Sequence, residues 1–316
     1  MNPALDREAL YAKSQVYIRR GFRAQTPNDT EEYQLWASLA LELLGKAALA
    51  KVHPTLVADP THYQSLFAAC GRQLSPDIKT ITAKTLFERL VHLDNRFDAR
   101  HKTFCEQMAL RRNAELHSGE SPFSGMLAEE WEKEFWGTVE TILKMQDESL
   151  ESWLGPEDSK APAKVLEQAE KARQWIVKHR VSSCNEDFLK KYQNPKQRQE
   201  IVEDSKKQIW KDQTWDGQDR CACPACLSVG FLGGTLRNEV VVAMDEGWGG
   251  IGENGDSYVE PPTEEVEKTY TVEVFECPIC RLRLFGAKEI SAAELPSEFI
   301  QTEDRERVFE PDYGND

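Results

Sequence analysis

CACPAC at residues 221–226 and CPIC at residues 277–280 are the stretches that decide the fold of the C-terminal third of this 316-residue chain. Each contains two cysteines separated by two residues: Cys223 with Cys226, and Cys277 with Cys280. This spacing lets both thiolates of a pair reach one tetrahedral metal ion at about 2.3 Å, and two pairs complete a four-sulfur shell. The sequence therefore predicts one structural zinc ion, with no open position left for a catalytic water.

Disulfide bonds and redox chemistry fit the cysteine pattern less well than a metal site does. Of the eight cysteines in the chain, Cys70, Cys105 and Cys184 are isolated, which does not indicate a disulfide framework. A thioredoxin-like redox pair is disfavoured, because two matched pairs occur without an evident βαβ context. Cys221 is a fifth thiol beside the first pair, and the sequence leaves open whether it replaces Cys223 as a ligand.

The residues around the two pairs predict a small β-rich domain. Residues 240–244 and 269–275 are short runs rich in β-branched residues, which favour strands. Residues 247–262 contain five glycines and two prolines, a composition typical of an exposed, mobile loop. We predict a zinc-ribbon domain over residues 216–316.

The charge of this region disfavours one function. Residues 216–316 contain 8 Lys and Arg against 22 Asp and Glu, a net charge of −14, whereas the whole chain has −15. Because phosphate contacts need basic side chains, a zinc ribbon of the nucleic-acid-binding type is not expected here. A protein partner is the more suitable ligand for such an acidic domain.

The first half of the chain is predicted to be helical over residues 1–155. Residues 30–52 have apolar side chains at spacings of three and four, with Asp29 and Glu32 resembling a capping box at the start. Further helical patterns cover residues 60–71, 79–93, 98–117 and 127–153.

A helical connector is predicted over residues 156–215. It follows a break at Gly155 and Pro156, and two or three helices are expected with a thin apolar face, formed by Val165, Leu166, Ala169, Trp175 and Ile176. No apolar run reaches the roughly 18 residues of a membrane span, and the N-terminus is charged where a secretory signal is apolar. A cytoplasmic protein without a membrane segment is therefore expected.

RRNAELH at residues 111–117 ends the pattern at 98–117. Arg112, Asn113 and His117 match the Arg-x(4–6)-His signature of the HEPN superfamily, including the polar residue that often follows the arginine. The segment 39–59, with Glu42 and Lys46 one turn apart in an apolar stripe, is similar to a HEPN first helix. The chain thus resembles a HEPN domain over about residues 1–155, fused to a zinc ribbon.

The resemblance implies a helical bundle that dimerises through its motif helices, and in many members a metal-independent endoribonuclease of toxin–antitoxin, abortive-infection or other antiviral systems. His117 would then transfer a proton at the ribose 2′-hydroxyl as that oxygen attacks the adjacent phosphate. Arg112 would stabilise the charge on the phosphoryl oxygens. The products would be a 2′,3′-cyclic phosphate and a 5′-hydroxyl.

Helix geometry constrains this interpretation. Residues 112 and 117 are about 140° apart around an ideal helix, so their side chains would not converge within one chain. A two-fold dimer that brings two motifs to one cleft would resolve this. His117 lies in the predicted last turn, where the negative end of the helix favours the protonated imidazole.

Two functional hypotheses from different classes remain. In the first, the chain is a dimeric endoribonuclease acting on RNA, with Arg112, Asn113 and His117 as site residues. In the second, it is a non-catalytic assembly or adaptor protein, in which the motif stabilises the dimer and the zinc ribbon recruits a protein partner.

Overall fold

The computed structural model describes residues 2–25, 30–124, 128–209, 214–251 and 257–307. The chain divides into two compact units, unit 1 (Met1–Glu170) and unit 2 (Lys171–Asp316). The residues predicted as a separate connector, 156–215, are divided between these units. Within the described ranges, no helix has the combination of length and apolar composition that a membrane crossing requires.

Unit 1 consists of packed helices. They are, in chain order, α1 (Arg7–Ala24), α2 (Glu31–Val52), a 3-10 turn (Pro54–Leu56), α3 (Tyr63–Ala69), α4 (Ala83–Leu93), α5 (Ala99–His117), α6 (Ala128–Lys144), α7 (Leu150–Leu154) and the start of α8 (Lys160–Lys191). The predicted helical first half is confirmed.

The core of unit 1 forms around α2, which packs against α1, α4, α5 and α6. Aromatic side chains fill much of the space, and Trp131, Phe135, Trp136 and Trp153 are at most 2% exposed. Burying such large rings contributes much of the hydrophobic stabilisation. The tight packing fixes α5, the helix that ends in the Arg-Asn-x-x-x-His motif.

Two details of the predicted helices differ from the structure. The pattern at 127–153 forms two helices, because the chain turns at residues 145–149, where Asp147 has a φ of 59°. The predicted capping box of α2 is not formed: its N-cap is Thr30, which makes no side-chain capping hydrogen bond, and Asp29 lies outside the described residues.

The connector forms two helices, α8 and α9 (Pro195–Ser205), as expected. Part of its predicted apolar face is wrong, however, because Trp175 is 67% exposed and Ile176 is 49% exposed. Val177 and Phe188 are buried instead, in the core of unit 2. Because α8 has few apolar residues in a weak helical pattern, the sequence did not determine which side of the helix faces inward.

Unit 2 contains an antiparallel sheet. Its strands are β1 (Gly217–Ala222), β2 (Val229–Asp245), β5 (Thr263–Glu276), β6 (Arg283–Phe285) and β7 (Glu298–Glu306), in the order β1-β2-β5-β6 with β7 also paired to β5. A short helix, α10 (Gly286–Ala292), follows β6. The predicted β-rich C-terminal domain is confirmed at this level.

The strands are longer than the β-branched runs that predicted them. The segment predicted as a mobile loop, 247–262, is different in part: β3 (Trp248–Ile251) and β4 (Ser257–Glu260) pair as antiparallel strands, and residues 252–256 lie outside the described residues. The pairing of these strands satisfies their backbone groups in spite of the glycine-rich composition.

Candidate functional site

The four predicted cysteine ligands lie together. The sulfur atoms of Cys223, Cys226, Cys277 and Cys280 are all within 4.8 Å of one another. Sγ of Cys223 is 3.5 Å from Sγ of Cys280, and Sγ of Cys226 is 3.6 Å from Sγ of Cys277. A tetrahedral shell with metal–sulfur bonds of about 2.3 Å has sulfurs about 3.8 Å apart, so the cluster fits a structural metal site.

Two matching turns position these sulfurs. In each pair the residue after the second cysteine has a positive φ, 63° at Leu227 and 64° at Arg281. Leu227 N–H donates to the Cys223 carbonyl at 3.0 Å, and Arg281 N–H donates to the Cys277 carbonyl at 2.9 Å. A left-handed conformation at a non-glycine residue costs free energy, and its repetition at both turns indicates that the site requires it.

Cys221 is not a member of the cluster. It lies in β1, opposite Gly230 of β2, and it is half-buried. Burial, together with the nearby Asp219 and Cys277, raises the pKa of the Cys221 thiol to about 11. The group of sulfurs that lie within 4.8 Å of one another includes Cys223 and not Cys221, which agrees with the assignment of Cys223 to the cluster.

Arg112 lies in a charged network inside unit 1. Its side chain is nearly buried, and Nη1 donates to Oε2 of Glu42 on α2. The other carboxylate oxygen of Glu42 accepts from Nζ of Lys46 at 2.8 Å. Lys46 Nζ also donates to Oγ1 of Thr80 at 3.0 Å. One carboxylate thus pairs with two cations in a region from which water is largely excluded.

The pKa of Glu42 reflects this arrangement. Burial alone would raise the pKa of the carboxyl, but the charges and hydrogen bonds of Lys46 and Arg112 outweigh it, and the pKa is lower than the ordinary value. Glu42 is therefore ionised at neutral pH and holds the Arg112 side chain in place.

Asn113 connects this network to the surface. Its exposed side-chain carbonyl accepts from Nη2 of Arg112 at 3.0 Å and from Nε at 3.3 Å. These two donors form the parallel fork that guanidinium groups present to carboxylates and phosphates. The fork of Arg112 is therefore directed at an acceptor on the outside of the bundle.

His117 is exposed at the last position of α5. Among the described residues, no hydrogen bond or ion pair joins its imidazole to another side chain. Two apolar side chains of α5 are exposed as well: Leu110 is 68% exposed, and Leu116, which precedes His117 in the chain, is 51% exposed. His117 and Arg112 lie on different sides of the helix, as the spacing predicts, and the structure does not bring them together within one chain.

The start of α5 is fixed by a capping box. Oδ1 of Asp98 accepts from the His101 backbone amide at 2.9 Å and lies 2.7 Å from Nδ1 of the same residue. Burial raises the pKa of Asp98, but the hydrogen bonds from His101 outweigh it and lower the pKa to about 2. This cap defines where α5 begins, and the buried Met108 and Arg112 hold the helix against the bundle.

Sequence reasoning identified Glu42 and Lys46 only as neighbours on one helix. It missed that Glu42 binds Arg112, 70 residues away, and that Thr80 binds Lys46. The available signal was a pair of charged residues within the apolar stripe of α2, because buried charges require partners. Nothing in the sequence identified which residues those partners were.

Comparison of the chain with protein-family models, with curated proteins and with solved structures finds no match.

Proposed function

We propose that this protein is a HEPN-type endoribonuclease that acts as a homodimer and carries a structural zinc ribbon, in an antiviral, abortive-infection or toxin system of the cytoplasm. The observation that carries the proposal is the arrangement on α5, where Glu42 holds the Arg112 fork from inside the bundle, the fork is directed at the exposed Asn113, and His117 is exposed on another side of the same helix. The HEPN resemblance of the motif supports the same assignment.

The proposed reaction uses side chains only. The four thiolates fill the coordination shell of the zinc ion, which leaves it a structural role. His117 accepts the proton of the ribose 2′-hydroxyl, and the 2′ oxygen attacks the adjacent phosphorus. The bond between phosphorus and the 5′ oxygen breaks, and the 5′ oxygen takes a proton from water. Arg112 stabilises the negative charge on the phosphoryl oxygens. The products are a 2′,3′-cyclic phosphate and a 5′-hydroxyl.

Substrate binding would use the place that Asn113 now occupies. A phosphate oxygen that reaches the Arg112 fork would take over the two N–H bonds currently made to the Asn113 carbonyl. Asn113 is exposed and can rotate away without losing buried contacts. Glu42 would keep the guanidinium in position during this exchange, which reduces the reorganisation needed for catalysis.

The dimer follows from the separation of the two side chains around the helix. With the motif helices of two chains packed against each other, His117 of one protomer would face the Arg112 fork of its partner. Such a contact would cover exposed apolar surface of α5, to which Leu110 and Leu116 contribute, and exposed apolar surface favours association. The acidic unit 2 would bind a protein partner.

The decisive experiment measures RNA cleavage by purified protein with total cellular RNA, and identifies the product termini. We expect His117→Ala to abolish cleavage and His92→Ala, an exposed histidine at the end of α4, to leave it unchanged. Since neither side chain makes a described contact, both variants should unfold like the wild type. Equal rates for wild type and His117→Ala would contradict the proposal.

A second candidate function is a non-catalytic adaptor, and one observation favours it. Arg112 is buried and neutralised by Glu42, a contact that by itself needs no substrate. In this case His117→Ala would change nothing, whereas breaking the Glu42–Arg112 pair would weaken the fold and the dimer.

A further inference from the structure

Strands β2, β5 and β7 of unit 2 extend beyond Gly217, the first residue of β1. Pairing between β1 and β2 stops where Gly217 faces Gly234. From there, residues 235–245 of β2, 263–271 of β5 and 298–306 of β7 continue as a three-stranded ribbon, which we call the arm. Within the arm, the outer edge of β2 pairs with no other strand in the described part of the chain.

The first amide of this edge is capped. Leu236 N–H donates to Oδ2 of Asp216 at 3.0 Å. Beyond it, residues 237–245 present their outward backbone groups without a strand partner among the residues described. An open edge of this kind is a template for an added strand.

The two faces of the arm differ in charge. On one face acidic and basic side chains pair: Arg305 with Glu264 and Glu239, and Lys268 with Glu303. On the other face, which we call the acidic face, the strand register places six carboxylates, those of Asp245, Glu265, Glu267, Glu298, Asp304 and Glu306.

Most of the acidic face lacks matching cations. Glu298, at the base of the arm, pairs with Arg237. None of the other five carboxylates forms an ion pair with another described residue, and Glu265 lies directly opposite Asp304 in the register. Like charges directly opposite across two strands are destabilising. The fold thus maintains a local repulsion that a basic ligand would relieve.

Apolar side chains accompany these carboxylates. Val240 of β2 and Ile300 of β7 belong to the acidic face and are 47% and 57% exposed, and Met244 at the end of β2 is 60% exposed. A strand added beside β2 would cover Val240 and Met244. The same acidic face on a second copy would repel it, so self-pairing of two arms is disfavoured.

We propose that the open edge of β2 binds an extended segment of another protein in which lysine or arginine alternates with uncharged residues, and that this segment adds to the arm as a further strand. Backbone hydrogen bonds would supply affinity, and electrostatic attraction of alternate basic side chains to the acidic face would supply specificity. This interaction goes beyond RNA cleavage and does not depend on it.

The test uses the full-length protein and a fluorescein-labelled synthetic peptide of alternating lysine and threonine, with binding followed by fluorescence anisotropy. One control peptide carries glutamate in place of lysine. A second keeps every lysine but has alternate backbone amides N-methylated, which removes the strand hydrogen bonds. We expect both controls to bind at least about tenfold more weakly, or about 1.4 kcal/mol.

Protein variants locate the site. Glu265→Lys with Asp304→Lys should weaken binding of the lysine peptide at least about tenfold. The two lysines keep like charges opposite each other, as the two carboxylates do in the wild type, so no new repulsion between these positions is introduced and no loss of folding is expected. Glu186→Lys with Asp187→Lys makes the same charge change at exposed positions of α8 and should leave binding within about twofold.

Hydrogen exchange gives an independent readout. The lysine peptide should slow exchange of amides in residues 237–245. Equal binding of the N-methylated or the glutamate peptide, or no effect of the arm variant, would overturn the proposal. So would protection of residues 237–245 that depends on protein concentration without peptide, since that result would make a second copy the ligand. No binding measurement contains RNA, so the outcome of the peptide experiments is independent of the outcome of the cleavage assay.

Discussion

Arg112 combines two contacts that have different consequences. Glu42 neutralises the guanidinium from inside the bundle, and Asn113 accepts its fork at the surface. The contact with Glu42 contributes to stability, and the contact with Asn113 marks the position where we propose that a phosphate binds. Substitutions at Glu42 and at His117 therefore separate folding from function.

We expect Glu42→Gln to lower the free energy of unfolding by about 3 kcal/mol, because Arg112 and Lys46 would keep their charges in a nearly buried place without a counter-charge. Urea denaturation followed by circular dichroism measures the change. Glu106→Gln is the matched control: its pair with Lys102 spans 3.8 Å at a half-exposed site, so the cost should be under about 0.5 kcal/mol. Equal costs for both variants would contradict the network.

The same pair predicts a pH dependence. The pKa of Glu42 is lowered in the folded chain, so the ion pairs stabilise the protein at pH values above the ordinary value of 4.5 and are lost as the pH falls through the lowered value. The stability difference between wild type and Glu42→Gln should be constant at neutral pH and shrink in acid below about pH 4.5. A difference that is unchanged down to about pH 3 would mean that Glu42 carries no such linkage.

The metal ligands give a third prediction. Cys226→Ser should remove the bound metal ion, which we propose to be zinc, and reduce the metal content from one ion per chain to none. It should also destabilise unit 2, since the binding free energy of a structural ion is folding free energy. Cys221→Ser and Cys70→Ser should keep the ion. Elemental analysis by mass spectrometry measures the number of metal ions per chain in each variant. Loss of zinc in Cys221→Ser would reassign the ligand set.

At this scale the sequence predicted the cysteine cluster well, because two-residue spacing brings two sulfurs to one ion wherever the chain turns. It did not predict the pairing of Glu42 with Arg112. These residues come from different helices, and only the packing of α2 against α5 brings them together.

Among the elements, α5 and the sheet of unit 2 carry most of the functional argument. The helical period predicted α5 to within one residue, and the difference at α6 and α7 came from a turn without glycine or proline at its positive-φ residue. The strands were predicted too short. Cross-strand pairing extended β2 over residues such as Arg237 and Asn238, which have low strand propensity on their own.

One close approach in the sheet is testable. A Cβ at Gly230 would lie 2.4 Å from the ring of Phe275, a fully buried side chain of β5. Gly230→Ala should therefore destabilise unit 2 by about 2 kcal/mol, through displacement of that ring. At Gly119 an added Cβ meets no atom within 4 Å, and Gly119→Ala should change stability by less than about 0.5 kcal/mol. Thermal unfolding of the two variants compares them, and an unperturbed Gly230→Ala would refute the contact.

In the whole molecule, charge and chemistry are segregated. Unit 1 holds the Arg-Asn-x-x-x-His motif, and unit 2 holds the four-cysteine cluster together with most of the net negative charge. The uneven charge was visible in the sequence. The division of the connector between the two units was not, because α8 is one continuous helix of 32 residues whose composition changes little along its length.

A mixed-dimer experiment tests the central claim most directly. His117→Ala and Arg112→Lys, which keeps the charge beside Glu42, should each be inactive alone. After subunit exchange, half of the dimers are mixed, and each would contain one intact site formed by Arg112 of one protomer and His117 of its partner. Cleavage should return to about a quarter of the wild-type rate. Wild-type cleavage that neither variant impairs, or no recovery on mixing, would contradict the composite site.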